Sequence, residues 1–113
     1  MHTILKNFIQ RKTDCDNQTI EEIASYFALI KTKRNQILLN FDQVANQYYF
    51  VNKGCIRIFT TTKDGLEISR YFAFEGTFVT ALPSFIDQLP AEEYIQTIEK
   101  SELLCISRTD FYY

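Results

Sequence analysis

The chain has 113 residues, and its 12 lysines and arginines against 14 aspartates and glutamates give a formal net charge of −2. This length supports one domain with a substantial core but is too short to divide into two. Hydrophobic residues make up 46% of the chain, which excludes a disordered protein, and no basic stripe of the kind that binds nucleic acid directly is present.

Two short helices are predicted at the N-terminus. Residues 3 to 11 carry one apolar face at helical spacing, made of Ile4, Leu5, Phe8 and Ile9. Thr19 and Glu22 match a capping box, which predicts a second helix that ends near Ile30. The basic run at 31–34 is then expected at the end of this helix, where cations favour the helix dipole. Residues 1–32 are therefore predicted to be a helical lead-in that packs on the rest of the chain.

From residue 33 onward the pattern predicts β structure. Stretches rich in β-branched and aromatic residues alternate with turn residues, and they span residues 36–40, 47–53, 55–62, 67–74, 94–99 and 102–108. Gly54, Gly65 and Gly76 are predicted to form turns between or after these stretches. Short strands with helices only at the front predict a mainly β sandwich or barrel of six to eight strands.

Residues that could support other classes of function are sparse. No apolar run approaches the roughly 20 residues of a membrane helix, and the N-terminus lacks a signal peptide, so we expect a cytoplasmic protein without membrane contacts. Three cysteines, Cys15, Cys55 and Cys105, are too widely spaced for a disulfide framework or a zinc site. The last two are predicted to be reduced core thiols. His2, the only histidine, is expected to be a frayed surface residue.

Three stretches, taken in order, carry a family resemblance. The segment "YYFVNKGCIRIF" (48–59) has a tyrosine/phenylalanine-valine-x-x-glycine-x-x-arginine pattern, and "KDGLEISRYFAFEGTF" (63–78) reads as the hairpin after it. The segment "YIQTIEKSELLCISRTDF" (94–111) reads as a final pair of strands. Together they resemble the cyclic-nucleotide-binding domain of the Crp/Fnr family of bacterial transcription regulators, from about Lys33 to the end of the chain.

The resemblance implies a double-stranded β-helix, a jelly-roll-like β-roll that senses a small-molecule effector. It also implies that DNA is bound only through a C-terminal helix-turn-helix domain, which residues 1–113 do not include. Family members dimerise through a helix after the last strand, so the longer protein is expected to be a homodimer. Because this chain stops before such a helix, we expect it to be a monomer, or a weak dimer through exposed aromatics such as Tyr112 and Tyr113.

The stretch at the position of the ligand cassette departs from the family pattern. Members that bind cyclic AMP have glycine-glutamate-leucine there and, some residues later, arginine-serine/threonine-alanine; the glutamate holds the ribose and the arginine the phosphate. Here Val79 and Thr80 stand near the glycine and the glutamate, while Glu92 and Glu93 stand near the arginine. A phosphate would meet like charge in a partly desolvated pocket, so we predict no useful affinity for cyclic AMP.

The candidate ligand contacts belong to this same region. They are Phe78, Val79, Thr80, Ser84, Phe85, Glu92, Glu93 and Tyr94. The three aromatic side chains could stack on a planar ligand, although in a chain with 7 tyrosines and 10 phenylalanines an aromatic is more often a core residue. The two glutamates could instead be an exposed turn after Pro90.

No catalytic residue, metal or cofactor is predicted. Adjacent carboxylates can serve acid–base chemistry, but neither a nucleophile nor a histidine accompanies Glu92 and Glu93. Metal enzymes with a jelly-roll fold need two or more histidines plus a carboxylate, and haem or iron–sulfur sites need an internal histidine or clustered cysteines. We therefore expect a protein that is not an enzyme.

Two functional hypotheses follow. The first is the ligand-sensing regulatory domain of a Crp/Fnr-type transcription regulator. The second is a stand-alone scaffold or interaction module of the same fold with a closed pocket. A cavity beneath residues 78–90 with convergent polar groups favours the first, and a stretch collapsed onto its own side chains favours the second.

Overall fold

The computed structural model of the chain describes residues 2–111. Its elements are α1 (Thr3–Lys12), α2 (Asn17–Ser25), β1 (Ala28–Thr32), β2 (Ile37–Leu39), β3 (Gln47–Lys53), β4 (Ile56–Thr61), β5 (Glu67–Ala73), β6 (Phe78–Val79), α3 (Leu82–Asp87), β7 (Tyr94–Thr97), β8 (Ser101–Ser107) and α4 (Arg108–Phe111). The strands form two antiparallel sheets, β1-β8-β3-β6 and β2-β7-β4-β5. The mainly β prediction is confirmed. None of the helices in this range has the length and apolar character needed to span a bilayer.

The central strands β3 and β8 are apolar on both faces because each face is covered. Tyr49 and Val51 of β3 point into a core between the two sheets, whereas Phe50 between them points to the N-terminal helices. On β8, Leu103 points into the core between the sheets and Leu104 points to the helices. Successive side chains of a strand alternate between faces, so a continuous apolar run marks a strand that is buried on both sides.

The six predicted strands and the three predicted glycine turns are confirmed. Gly54, Gly65 and Gly76 have φ of +107°, +84° and +83°, in the positive-φ region that favours glycine. At Gly54 a second constraint applies, because an added Cβ would lie 2.2 Å from the Ser101 Oγ. The structure adds two strands that the sequence pattern did not predict, β1 and the two-residue β6.

The predicted second helix is wrong at both ends. Asp16, and not Thr19, caps it, since the Asp16 carboxylate accepts a hydrogen bond of 2.8 Å from the backbone N–H of Thr19. This bond lowers the pKa of Asp16. The helix runs from Asn17 to Ser25, so Thr19 lies inside it and forms no capping box with Glu22.

Residues 28–32, predicted to be the end of that helix, form strand β1. They pair antiparallel with β8, from Ala28 opposite Cys105 to Thr32 opposite Ser101. The side chains of Leu29 and Ile30 pack on opposite faces of the sheet, against the helices and the inter-sheet core. The basic run 31–34 therefore lies at the end of a strand and in the turn after it, and caps no helix.

Two further predictions at the chain ends are corrected. His2 is not frayed, since its Nε2 lies 2.9 Å from the carbonyl oxygen of Phe27. The four-residue helix α4 follows the last strand, where no helix was predicted. Tyr112 and Tyr113, the predicted weak contact between copies, lie outside the described residues. Cys55 and Cys105 are buried and unpaired, as predicted.

Candidate functional site

The segment after β6 is held to the sheet by side chains that bond to backbone groups. Helix α3 ends at Gln88, whose left-handed φ of +56° stops the helix. The Gln88 amide donates to the carbonyl oxygen of Ala45 at 3.0 Å and to that of Phe85 at 3.1 Å. Arg108 also caps α3, because its Nε donates to the Phe85 carbonyl at 2.7 Å. A cation at this end also favours the helix dipole.

Ser84 links this segment to the chain before β3. Its side chain is buried, and its Oγ accepts from the Ala45 N–H at 2.9 Å and donates to the Leu89 carbonyl at 2.5 Å. Two backbone bonds of 2.8 Å extend the connection, from Asp42 N–H to the Ala91 carbonyl and from Ala91 N–H to the Gln43 carbonyl. Residues 41–45 and 84–91 are thereby fixed relative to each other.

A half-open cavity of about 720 Å³ lies against these two segments. Its volume falls in the range of about 300–1,000 Å³ that is typical of small-molecule sites. The apolar lining consists of Phe41, Ala81, Pro83, Leu89, Pro90 and Ala91. The polar lining consists of Asp42, Thr60, Ser84, Glu92 and Glu93. A second, smaller cavity of about 360 Å³ lies beside β2 and β3.

The large cavity is acidic, and no lysine, arginine or histidine lines it. Glu93, whose side chain is 17% exposed, forms a two-point ion pair with Arg70 of β5. The Arg70 Nη2 donates to the Glu93 Oε1 at 2.9 Å, and its Nε donates to the Oε2 at 2.5 Å. This hydrogen bonding raises the pKa of Arg70. The guanidinium is thus already bound to a carboxylate of the chain.

Three of the eight predicted contact residues line this cavity, namely Ser84, Glu92 and Glu93. Phe78 instead joins the aromatic group under the N-terminal helices, with ring centroids 5.2 Å from Phe8 and 4.8 Å from Phe50. Val79 is buried in the inter-sheet core. The structure therefore brings Ser84, Glu92 and Glu93 together on the cavity, and packs Phe78 and Val79 on the two faces of β6 away from its lining.

The other three predicted contacts also lie outside the large cavity. The Thr80 Oγ1 donates to the Gln47 carbonyl at 2.7 Å, and Thr80 lines the smaller cavity. Phe85 is fully buried in the inter-sheet core. Tyr94 stacks on Phe59 with ring centroids 4.9 Å apart. The aromatic side chains predicted as ligand walls therefore serve packing in this structure.

The main lining residues that were not predicted lie far along the chain from the predicted stretch at 78–94. Phe41 and Asp42 precede β3, and Thr60 belongs to β4. Only the backbone pairing around Val44 and Pro90 brings the first two to the cavity, and no local sequence signal predicts that pairing. Within residues 2–111, no group of three or more histidine, cysteine, aspartate or glutamate side chains could hold a metal ion.

Comparison with solved structures identifies the fold. The sensor domain of the transcriptional regulator DNR from Pseudomonas aeruginosa superposes with a TM-score of 0.79 at 16% identity, over 98% of this chain and 73% of that one. The Thermus thermophilus catabolite activator protein gives 0.76 at 21% identity, over 86% of this chain. The regulatory subunit of a cAMP-independent protein kinase A from Trypanosoma cruzi, bound to guanosine, gives 0.73 at 11% identity, over 86% of this chain and 34% of that one.

These similarities confirm the jelly-roll-like β-roll. The chain spans 45% of the length of the Thermus protein. No curated protein matches the chain at a significant level. The model of the cyclic nucleotide-binding domain family matches residues 29–113, three quarters of the chain. By this match, the chain belongs to the cyclic nucleotide-binding domain family.

Proposed function

We propose that this chain is the effector-sensing domain of a Crp/Fnr-type transcription regulator and that its effector is not cyclic AMP. The observation that carries the proposal is the cavity of about 720 Å³ beside α3. It combines apolar walls with polar groups such as Asp42 and Glu92, the combination expected of a small-molecule site.

The charges around the cavity argue against a cyclic phosphate. Binding such an anion requires a cation or free backbone donors aimed at it, and each charged hydrogen bond contributes roughly 1.5–3 kcal/mol. The cavity lining offers three carboxylates, and Arg70 is already paired with Glu93. The Thr80 hydroxyl, at the position where cyclic-AMP-binding members carry glutamate, donates to a backbone carbonyl. Cyclic AMP would therefore meet repulsion without compensation.

Proteins of similar fold support the sensing role and show that this fold can hold a ligand other than cyclic AMP. One of them is the sensor domain of a transcriptional regulator, and another, described as cAMP-independent, holds the uncharged nucleoside guanosine. By analogy, we propose that DNA binding belongs to a separate domain of a longer, homodimeric protein in the cytoplasm, and that residues 1–113 are its sensor. The isolated chain is then a monomer or a weak dimer.

A closed scaffold is the second candidate. It is favoured by the burial of Phe85 and by the side-chain bonds of Ser84 and Gln88, which fix the segment firmly. A scaffold would bind no small molecule at the cavity. A metabolite screen by thermal shift separates the two, with Thr60→Tyr as the variant that fills the cavity from β4. Ligands that stabilise the parent but not the variant support the sensor, and a screen without hits overturns it.

Titration calorimetry tests the exclusion of cyclic AMP. We expect no heat beyond dilution with cyclic AMP or cyclic GMP at millimolar ligand, because losing one charged hydrogen bond weakens binding by roughly tenfold to more than a hundredfold. A micromolar dissociation constant would overturn the exclusion. Arg70→Ala would then show whether Arg70 leaves Glu93 to hold the phosphate.

A further inference from the structure

We propose that the large cavity binds an organic cation, that is, an amine or guanidine attached to an apolar body. This inference rests on the proposed sensing function and names the chemical class of its effector. The cavity is the starting point, since three carboxylates lie on the lining of one half-open space with apolar walls. Two of them, Asp42 and Glu92, are exposed to solvent at its mouth.

Two carboxylates of the cavity have no charged or hydrogen-bonding partner within residues 2–111. Asp42 and Glu92 come from different segments, and within residues 2–111 no hydrogen bond or ion pair engages either carboxylate. The backbone bonds between Asp42 and Ala91 hold the two segments in place. Binding a cation beside them would therefore require ordering of two exposed side chains but little ordering of the backbone.

The chain itself shows that this wall accepts a planar cation. Glu93 binds the guanidinium of Arg70 through both carboxylate oxygens, the two-point geometry that carboxylates use for guanidinium groups. Because Arg70 saturates Glu93, the charge available to a ligand comes from Asp42 and Glu92. An anionic ligand would face these two charges and find no cation in the lining.

The rest of the lining selects for an apolar body. Phe41 is 47% exposed and Leu89 is 60% exposed, and both lie on the cavity with Pro83 and Pro90. Covering such surface removes apolar area from water, which favours binding. Phe41 also lies beside Asp42 in the chain, so an aromatic face accompanies a carboxylate, a pairing that suits an ammonium group.

The test uses three probes of similar shape and different charge: tryptamine, tryptophol and indole-3-acetate. The chain contains no tryptophan, so the indole fluorescence of each probe, excited at a wavelength where tyrosine does not absorb, reports binding without a tryptophan background. We expect tryptamine to bind about threefold to tenfold more tightly than neutral tryptophol, and indole-3-acetate to bind most weakly. The preference should shrink as salt is added, since exposed charges are screened.

Charge variants locate the effect. Glu92→Gln and Asp42→Asn should each lower tryptamine affinity by about threefold and leave tryptophol unchanged. Glu99→Gln, which removes the same charge from an exposed position outside the cavity lining, should change neither. Equal loss in all three variants would show that only net charge matters, which contradicts the proposal.

The remaining outcomes separate this inference from the proposed function. If tryptophol or indole-3-acetate binds at least as tightly as tryptamine, with loss in Thr60→Tyr, the cavity is a sensor site but not one for cations. If no probe binds, the cation inference is wrong. The metabolite screen then decides separately whether the cavity binds any small molecule.

Discussion

Two regions of the molecule, both close to β6, are stabilised in different ways. Under the N-terminal helices, Phe50 is fully buried among apolar side chains and has ring contacts with Phe8 and Phe78. Around α3, in contrast, single polar side chains such as Ser84 and Gln88 hold the chain by bonds to backbone carbonyls. Beside them a cavity of about 720 Å³ stays open.

The difference separates two physical tasks within one domain. Apolar packing tolerates few gaps, so the centre of the helix-covered layer around Phe50 is closely packed. A segment held by a few directional bonds can keep its shape next to an unfilled space. Packing therefore maintains the fold, and polar contacts keep the cavity available.

The largest expected effect comes from breaking the packed layer at its centre. Phe50→Ala should lower the free energy of unfolding by about 3–5 kcal/mol, because the side chain is fully buried and its loss leaves a cavity. Urea denaturation followed by circular dichroism measures the change. The matched control is Phe74→Ala, at a position that is 60% exposed, for which we expect about 0.5 kcal/mol or less.

Similar losses in the two variants would contradict this contrast. They would mean that Phe74 is covered in solution, for instance by a second copy of the chain. Light scattering on the unmutated protein distinguishes that case, since a covered Phe74 requires a stable dimer.

The fold was largely predictable because its signals are local. Strands β3 and β8 contain continuous apolar runs, and the turn at Gly65 lies between β4 and β5, whose β-branched and aromatic residues also indicate strands. The end of α2 was not predictable, since Ala24, Phe27 and Ala28 also satisfy helical spacing. What makes residues 28–32 a strand is the hydrogen-bonded pairing with β8, from Ala28 opposite Cys105 to Thr32 opposite Ser101, far along the chain. Tertiary pairing overrides a local preference there.

The site was predictable only in part, for the same reason. Ser84, Glu92 and Glu93 lie in the one stretch that family spacing marks, and they do line the cavity. Asp42 and Thr60 reach it through long-range pairing that no nearby residue reveals. Phe78, which was predicted to contact a ligand, packs under the N-terminal helices instead. An aromatic residue on a short strand fits either face, and in this chain the face toward the helices is the more apolar one.

Removing the Ser84 hydroxyl, which holds the α3 segment by two hydrogen bonds, should lower the free energy of unfolding less than Phe50→Ala does. Ser84→Ala leaves the N–H of Ala45 and the carbonyl of Leu89 without their buried partner, which costs about 1–3 kcal/mol of stability. Denaturation in urea measures it. Ser69→Ala removes one hydroxyl contact at an exposed position, to Arg57, and should change stability by about 0.5 kcal/mol or less.

The comparison also predicts what the Ser84 variant retains. Its helix-covered layer should stay packed, so the near-ultraviolet circular dichroism of the aromatic residues should match that of the unmutated chain. A loss of that signal would show that the cavity region and the packed layer unfold together, against the division described above.

The smallest expected effect is a change in how the free energy of unfolding depends on pH. It tests whether water is excluded from the core between the two sheets. Burial raises the pKa of Cys105 to about 12, and burial also raises the pKa of Tyr49. In the unfolded chain a thiol loses its proton near pH 8.5, about its usual value, while the folded state keeps it. Above that pH the unfolded state binds fewer protons, so stability falls as pH rises, by up to about 1.4 kcal/mol per pH unit for this thiol.

Urea denaturation at neutral pH and at about pH 10 should show the decline, and Cys105→Ala should reduce it. A smaller decline should remain, because burial also raises the pKa of Cys55. Cys15→Ala, at a half-buried position, serves as the control and should keep the full slope. Parallel curves for the unmutated chain and Cys105→Ala would mean that water reaches the space between the sheets, and that the core differs less from the cavity than the packing indicates.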